Sequence, residues 1–246
     1  MIKSVLRTLI LATALLTLNT CSSDDEIVPK LENNSNYKIL NLGASRVEGA
    51  RPQYESYRYE LWKDLKENGW FFDFIGTQSD EASYPLFNSD SFDKDHEGRG
   101  GWTSGQILEG LNDWLNQTGS PDIVLFSSPG GNDGLNGLSF EEAVLNINSI
   151  IDILQKKNAN VIIIIEQMSP GSSDIMTPEL TSFINNMRQE VLNIAINQTT
   201  FTSKVIAVDM FTGFDDSLLA DDVHYNLSGA EFIAKRYYNV LKNILD

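Results

Sequence analysis

The sequence predicts an α/β fold, a three-layer α/β/α sandwich around a five-stranded parallel sheet. Apolar, β-rich runs alternate along the chain with longer segments of helical periodicity, and this alternation is typical of consecutive βαβ units. The run Val161–Ile165 is apolar at every position, as expected for a strand that is covered on both faces. Both observations favour helical layers on each side of one sheet.

Five segments are predicted to be strands because they are short, apolar and rich in β-branched or aromatic residues. In chain order they are Tyr37–Leu42, Phe71–Ile75, Asp122–Ser127, Val161–Ile165 and Lys204–Val208. The segments between and after them show apolar residues at helical spacing. The predicted helices are Tyr54–Asn68, Ser104–Gln117, Ser139–Lys157, Pro178–Gln198 and Leu227–Leu245.

Two of these helices carry recognisable start signals. Ser139, with Glu142 three residues later, has the spacing of a capping box. Thr177 supplies an N-cap residue, and Pro178 follows at the first helical position. The loop Gly76–Thr103 is long for an α/β connection, and long loops beside strand ends often shape a substrate site.

Residues 1–20 are predicted to be a signal peptide. Lys3 and Arg7 precede the apolar run Leu9–Leu18, which is too short to span a bilayer as a stable helix. Cys21 follows directly and resembles the lipidation site of a bacterial lipoprotein. The resemblance implies a lipid anchor at the bacterial outer membrane, on the cell surface. A secreted or periplasmic protein with a spare cysteine is the alternative.

Residues 21–36 are polar and charged and are predicted to be a flexible tether, so 37–246 form the single folded domain. The net charge of −16 argues against nucleic acid or an anionic membrane surface as a partner, which leaves the lipid anchor as the membrane contact. With one cysteine, no disulfide within the chain is possible. The two histidines, His96 and His224, are far apart, so no metal or other cofactor is predicted. The oligomeric state stays open.

Two short motifs near the ends of the domain carry the chemistry. Ser45 follows the first predicted strand, and Asp221-x-x-His224 precedes the last predicted helix. A serine hydroxyl is a poor nucleophile at neutral pH, so it needs an adjacent base, which in turn needs a carboxylate to orient it. Asp209 competes as that carboxylate, but the Asp-x-x-His spacing places Asp221 and His224 on one turn.

Two glycine-containing loops between these motifs offer hydrogen-bond donors. Gly98–Thr103 precedes the second long helix, and Gly130–Asp133 follows the third strand. The carboxyl ends of parallel strands meet at one edge of a sheet, so both loops should gather beside the serine. His96 is interpreted as a loop residue that shapes the Gly98–Thr103 turn. The glycine cluster lacks the Lys-Ser/Thr of a phosphate loop.

The order Ser…Gly…Asn…His resembles the SGNH (GDSL-type) hydrolase family, whose sheet is flavodoxin-like, from about residue 37 to the C-terminus. The resemblance implies Ser45 as nucleophile, His224 as general base and Asp221 as the acid. Ala44 departs from the family, which usually has aspartate there, in the Gly-Asp-Ser block. In the family that aspartate is mainly a structural hydrogen-bonding residue, so no proton-transfer group is lost.

The same resemblance implies an oxyanion hole, a set of donors for the negative oxygen of a tetrahedral intermediate. Its members would be the backbone N–H of Ser45, the N–H of Gly101 and the side-chain amide of Asn132.

Three further segments resemble carbohydrate esterase family 3, whose members remove acetyl groups from xylan-type polysaccharides. This resemblance implies an acetylated carbohydrate as substrate. The residue types are compatible with it: Arg46 and Arg99 are candidate donors to hydroxyls or a uronate. Trp102 is a candidate stacking face for a sugar, or alternatively belongs to the core. The resembling segments are Ser56–Trp62, Asp73–Thr77 and Asp95–Thr103.

Two alternative functions stay open. The block Gly130–Leu135 resembles that of bacterial lysophospholipase and thioesterase relatives, which implies a broader short-chain acyl esterase or thioesterase. Ala44 leaves room for an inactive, glycan-binding surface lipoprotein. The loops predicted at the site are polar and small, and this favours an acetyl group over a long acyl chain.

Overall fold

A computed structural model describes residues 36–245 and places its seven strands in one sheet. The central strand β1 pairs in parallel with β2, β4 and β5, and β5–β6–β7 continue the parallel sheet on one side. β3 pairs antiparallel with β4 at the opposite edge. The strands are β1 (Tyr37–Gly43), β2 (Phe72–Ile75), β3 (Gln78–Ser79), β4 (Asp95–Gly98), β5 (Ile123–Phe126), β6 (Ile162–Gln167) and β7 (Val205–Asp209).

The α/β class and the five predicted strands are confirmed, but the strand count is larger. β3 and β4 lie in the segment predicted to be one long loop. They are two and four residues long and are polar, so they lack the apolar run by which a strand is recognised. β4 forms because β2 pairs only with the first part of β1, and the end of β1, Leu42 and Gly43, is left for β4.

Five long helices cover the sheet, and two short ones lie at its edge. Ser139 and Thr177 accept hydrogen bonds from the N–H of the third helical residue, as N-caps do. The predicted helix from Tyr54 begins later because Tyr54 pairs with Ala50 in a β-bridge. The helices are α1 (Ser45–Glu48), α2 (Arg58–Glu67), α3 (Ser104–Thr118), α4 (Gly131–Leu135), α5 (Phe140–Lys157), α6 (Pro178–Gln198) and α7 (Leu227–Leu241).

The isoleucine run of β6 shows how the layers are built. Ile162 and Ile164 belong to the core on the α2 and α7 side, whereas Ile163 and Ile165 belong to the core on the α3, α5 and α6 side. All four side chains are buried. Alternate residues of a strand point to opposite faces, so an unbroken apolar run corresponds to a strand covered on both faces.

The predicted signal peptide, the lipidation site Cys21 and almost all of the predicted tether lie outside the described residues, so they stay predictions. Within 36–245, no helix is long and apolar enough to cross a membrane.

Candidate active site

The loops at the carboxyl edge of the sheet converge as expected for an open parallel sheet. β1 leads directly into α1, and at Gly43 an added Cβ would lie 2.9 Å from the carbonyl oxygen of Ser127 at the end of β5. At Gly98, which ends β4, an added Cβ would clash with the backbone of Glu48 in α1. These two glycines therefore permit the close approach of neighbouring loops around the first turn of α1, where Ser45 lies.

Ser45, His224 and Asp221 form one hydrogen-bonded chain. The Ser45 Oγ lies 2.9 Å from His224 Nε2, and His224 Nδ1 lies 2.8 Å from Asp221 Oδ2. Partial burial acts to raise the pKa of Asp221, but hydrogen bonds from the backbone N–H of Val223 and His224 and from the imidazole lower it overall. With the carboxylate ionised, Nδ1 donates to Asp221, and Nε2 is left to accept the hydroxyl proton of Ser45.

The structure separates this trio from Asp209, the competing carboxylate of the sequence analysis, and from the second histidine, His96. Asp209 accepts hydrogen bonds from the backbone N–H of Phe211 and Thr212. His96 is buried in β4, where desolvation lowers its pKa to about 2, so it is neutral. Its Nδ1 accepts the N–H of Gly98, which agrees with its predicted influence on that turn, although it lies in a strand and not in a loop.

Asn132 in α4 and Gly101 in the turn before α3 lie at the same edge of the sheet. The Asn132 side chain donates one N–H to the carbonyl oxygen of Trp102 at 2.8 Å and keeps a second amide hydrogen. Gly101 has a φ of +77° in a turn closed by a hydrogen bond from Trp102 N–H to Arg99 O, and a positive φ at that position favours glycine. The Asn132–Trp102 hydrogen bond thus joins the two segments that carry the predicted oxyanion donors.

Arg46 is held by contacts within the protein. The side chain is buried, and its guanidinium donates to the carbonyl oxygens of Val223 at 2.8 Å and of Ser169 and Pro170 at 2.9 Å. Arg46 lines the pocket beside Ser45, but these contacts argue against it as a substrate donor, because protein acceptors from two other loops use its donors. Arg46 therefore ties α1 to the turn of His224 and to the β6–α6 loop.

We expect Arg46→Met to lower the free energy of unfolding by roughly 3 kcal/mol or more, since several buried acceptors lose a charged donor. Arg51→Met is the matched control, because its ion pair with Glu55 is partly exposed and should contribute about 0–1 kcal/mol. Urea unfolding of both variants measures the difference. Equal losses in the two variants would contradict the structural role of Arg46.

Arg99 and Trp102 have different outcomes as predicted substrate contacts. Arg99 forms an ion pair with the buried Glu97 at 2.6 Å and lies over the ring of Trp114, 4.1 Å from its centroid. These internal contacts argue against Arg99 as a substrate donor. Trp102 packs against Trp114 and also lines the pocket beside Ser45. Its position is therefore compatible with both predicted roles, core packing and stacking on a sugar.

Two residues at the site were missed. Glu166 ends the isoleucine run of β6, is fully buried, and accepts hydrogen bonds from Ser128 N–H at 2.7 Å and Tyr237 Oη at 2.7 Å. A carboxylate at the end of such a run was the only signal for it. Tyr54 stacks on the imidazole of His224, and no local pattern predicts that contact.

A pocket of about 50 Å³ opens beside Ser45 and Asn132. The expectation of a polar surrounding with few apolar side chains is wrong, because helices α3 and α6 and strand β5 contribute the walls in addition to the loops. Leu135, Ile175, Leu180 and Val223 are shared with a more open groove that leads toward Leu138 and Phe183. Further apolar wall residues of the pocket are Trp102, Ile107, Phe126, Met168 and Ile184.

Comparisons with known proteins agree with this arrangement. A carbohydrate esterase family 3 protein from Talaromyces cellulolyticus is 25% identical with a TM-score of 0.72, and the match covers 84% of this chain and 96% of that one. A family 3 carbohydrate esterase from Clostridium thermocellum is 28% identical with a TM-score of 0.65, covering 86% and 100%. An acetyl esterase variant solved with an acetate ion is 26% identical with a TM-score of 0.72, covering 84% and 96%. No curated protein matches the chain.

The family model described as GDSL-like Lipase/Acylhydrolase matches residues 69–232, more than half of the chain. That range contains Gly101, Asn132, Asp221 and His224, while Ser45 lies upstream of it. The fold, the carboxyl-edge site and the matched family agree with one another. The chain belongs to the GDSL-like lipase/acylhydrolase family and is a carboxylic ester hydrolase.

Proposed function

We propose that this protein removes acetyl groups from carbohydrate by Ser-His-Asp catalysis. The observation that carries the proposal is the hydrogen-bonded chain from Ser45 Oγ through His224 to Asp221. The carbohydrate and acetyl parts rest on the similarity to solved family 3 carbohydrate esterases, which this chain covers over almost their full length.

In the first half of the reaction, His224 Nε2 takes the hydroxyl proton of Ser45 while Oγ attacks the ester carbonyl carbon. The tetrahedral intermediate carries a negative oxygen, which accepts hydrogen bonds from the N–H of Ser45, the N–H of Gly101 and the second amide hydrogen of Asn132. The intermediate collapses as the imidazolium gives its proton to the departing sugar oxygen, so the sugar leaves with a free hydroxyl. Acetyl-Ser45 remains.

In the second half, water enters where the sugar left. His224 accepts a proton from that water, whose oxygen attacks the acyl carbon of the serine ester. Collapse of the second tetrahedral intermediate returns the proton to Ser45 Oγ and releases acetate. Asp221 keeps its charge throughout and stabilises the imidazolium that forms twice in each cycle.

The size of the pocket favours a short acyl group. Its volume of about 50 Å³ exceeds the roughly 10–15 Å³ that one water molecule needs, so the pocket has room for a small group. An acetyl group has three non-hydrogen atoms, a butyryl group five and an octanoyl group nine. We expect an acetyl group to fit with its methyl against the apolar walls and an octanoyl chain to extend beyond the pocket.

A broader acyl esterase or thioesterase is the second candidate, and one observation favours it. The pocket shares four apolar wall residues with the adjoining groove, so a longer chain has an apolar path toward the surface. Each methylene that becomes buried there would contribute up to about 0.8 kcal/mol.

We expect kcat/KM to be highest for acetyl esters and to fall along a series of acetyl, butyryl and octanoyl esters of one chromogenic alcohol. Because all three esters have the same leaving group, differences in kcat/KM report how well the pocket accommodates each acyl chain. Acetate release from acetylated xylan, compared with release from acetylated pectin, then tests which carbohydrate is the substrate.

Each outcome of this series decides between functions. A rise from acetyl to octanoyl would overturn the acetylesterase proposal and support the thioesterase or lysophospholipase alternative. Turnover of chromogenic acetate without release from any glycan would overturn the carbohydrate part alone. Absence of turnover on every ester would support an inactive glycan-binding protein.

A further inference from the structure

The imidazole of His224 has an aromatic ring stacked on one face. The ring of Tyr54 lies nearly parallel to it, with 3.8 Å between the ring centroids and an angle of 13° between the planes. The side chain of His224 is only 21% exposed. Tyr54 therefore covers a face of the imidazole that would otherwise meet water, while the edge atoms Nδ1 and Nε2 stay bonded to Asp221 and Ser45.

The loop that carries Tyr54 is fixed to the loop of the histidine. Tyr54 and Ala50 exchange backbone hydrogen bonds at 3.2 and 3.3 Å, which closes the loop beneath the ring. The next residue, Glu55, donates its N–H to the carbonyl oxygen of Tyr225 at 2.8 Å, and Tyr225 directly follows His224. Because the two loops are bonded at adjacent positions, the stacked geometry is held from both sides.

Two carboxylates lie around this pair of rings. Asp221 faces His224 from its own loop, and Glu48 of α1 and Asp221 both interact with Tyr54. Burial, followed by these two carboxylates, raises the pKa of Tyr54, so its ring is an uncharged phenol at neutral pH. An uncharged aromatic face attracts a cation, and this attraction is stronger where water is excluded.

We propose that Tyr54 is a positioning residue for the catalytic histidine, and that its aromatic face orients the imidazole and stabilises the imidazolium formed during acyl transfer. This inference rests on the proposed function, in which His224 takes and returns a proton twice in each cycle. The stacking matters most in the two transition states, because the imidazole becomes charged there. It is therefore expected to raise kcat more than it lowers KM.

The test compares Tyr54→Leu with Tyr54→Phe. Leucine covers the imidazole without an aromatic face, whereas phenylalanine keeps the ring and removes the hydroxyl. Tyr54→Leu should lower kcat by about tenfold with little change in KM, which corresponds to about 1.4 kcal/mol of transition-state stabilisation. Its kcat/KM–pH profile should have an acid limb displaced to lower pH, by about 0.5–1 unit, because the cation is less stabilised. Tyr54→Phe should match the wild type in both respects.

A second readout does not require activity. The sequence has two histidines, and His96 is buried and neutral, so the imidazole proton resonances of His224 can be distinguished from those of His96 by NMR. The NMR titration of His224 should move to lower pH in Tyr54→Leu and stay in place in Tyr54→Phe. If the wild type hydrolysed no ester, the proposed function would fail while this titration still tested the stacking.

Three results would overturn the inference. An unchanged kcat and acid limb in Tyr54→Leu would show that the ring does not act on His224. A lower kcat with an unmoved acid limb and NMR titration would reduce Tyr54 to a structural support. A loss in Tyr54→Phe equal to that in Tyr54→Leu would assign the effect to the hydroxyl group and not to the ring.

Discussion

Ser45→Ala is expected to lower kcat for an acetyl ester by about 10⁴-fold or more. The variant removes the only nucleophile in the hydrogen-bonded chain, and triad members act as a unit, so His224 and Asp221 have no alternative route to an acyl-enzyme. The fold should be unaffected because only one small hydroxyl is lost from a partly buried position. Steady-state kinetics with a chromogenic acetyl ester and a thermal unfolding curve check the two statements.

Ser149→Ala is the matched control for that variant. Ser149 lies on the exposed face of α5 and donates to the carbonyl oxygen of Leu145, so its loss should leave both activity and fold unchanged. If Ser45→Ala, prepared free of contaminating esterase, keeps more than about a hundredth of the wild-type rate, Ser45 is not the nucleophile. Mass spectrometry of a trapped acyl-enzyme would locate the acyl group independently.

Asn132→Ala is expected to lower kcat by about 10²–10³-fold, the cost of one lost oxyanion donor. The amide hydrogen that Trp102 leaves free is the one assigned to the negative oxygen. That oxygen is fully charged only in the tetrahedral intermediate, so kcat and kcat/KM should fall by the same factor while KM changes little. Kinetics over a range of ester concentrations separate the two constants.

Asn136→Ala controls for general effects of shortening an asparagine in this segment. Asn136 directly follows α4 as its C-cap, is exposed, and donates its backbone N–H to the carbonyl oxygen of Asn132. It should behave as the wild type does. An unchanged kcat in Asn132→Ala would mean that its second amide hydrogen points away from the reacting carbonyl, and a rise in KM alone would assign Asn132 to ground-state binding.

The sequence pattern predicted correctly those features that depend on interactions between residues close together in the chain. The helix α6 starts at Pro178 as predicted, because Thr177 as N-cap and proline at the first position act on their own neighbours. Asp221 and His224 meet for the same reason, since a spacing of three residues on one turn brings carboxylate and imidazole into contact. The run Val161–Ile165 predicted a buried strand because complete burial removes the alternation.

Prediction from the sequence failed for elements that form only because a segment distant in the sequence packs or pairs with them. β3 and β4 are too short and too polar to be strands by their own propensity. β4 forms because the end of β1 leaves hydrogen-bonding groups unpaired, and β3 then pairs with β4. The apolar walls of the pocket were missed in the same way. They come partly from α3, α6 and β5, which are distant from Ser45 in sequence, so inspection of the loops alone suggested a polar surrounding.

By itself, the sequence determined the α/β class, the order of the five apolar strands and five long helices, and the family, because hydrophobic periodicity and short motifs are properties of consecutive residues. The tertiary structure alone decided what the side chains contact. Arg46, predicted to face a substrate, binds carbonyl oxygens more than 120 residues away, and Tyr54, which has no motif, covers His224. Such contacts depend on how distant loops converge at the sheet edge, and no local spacing encodes that convergence.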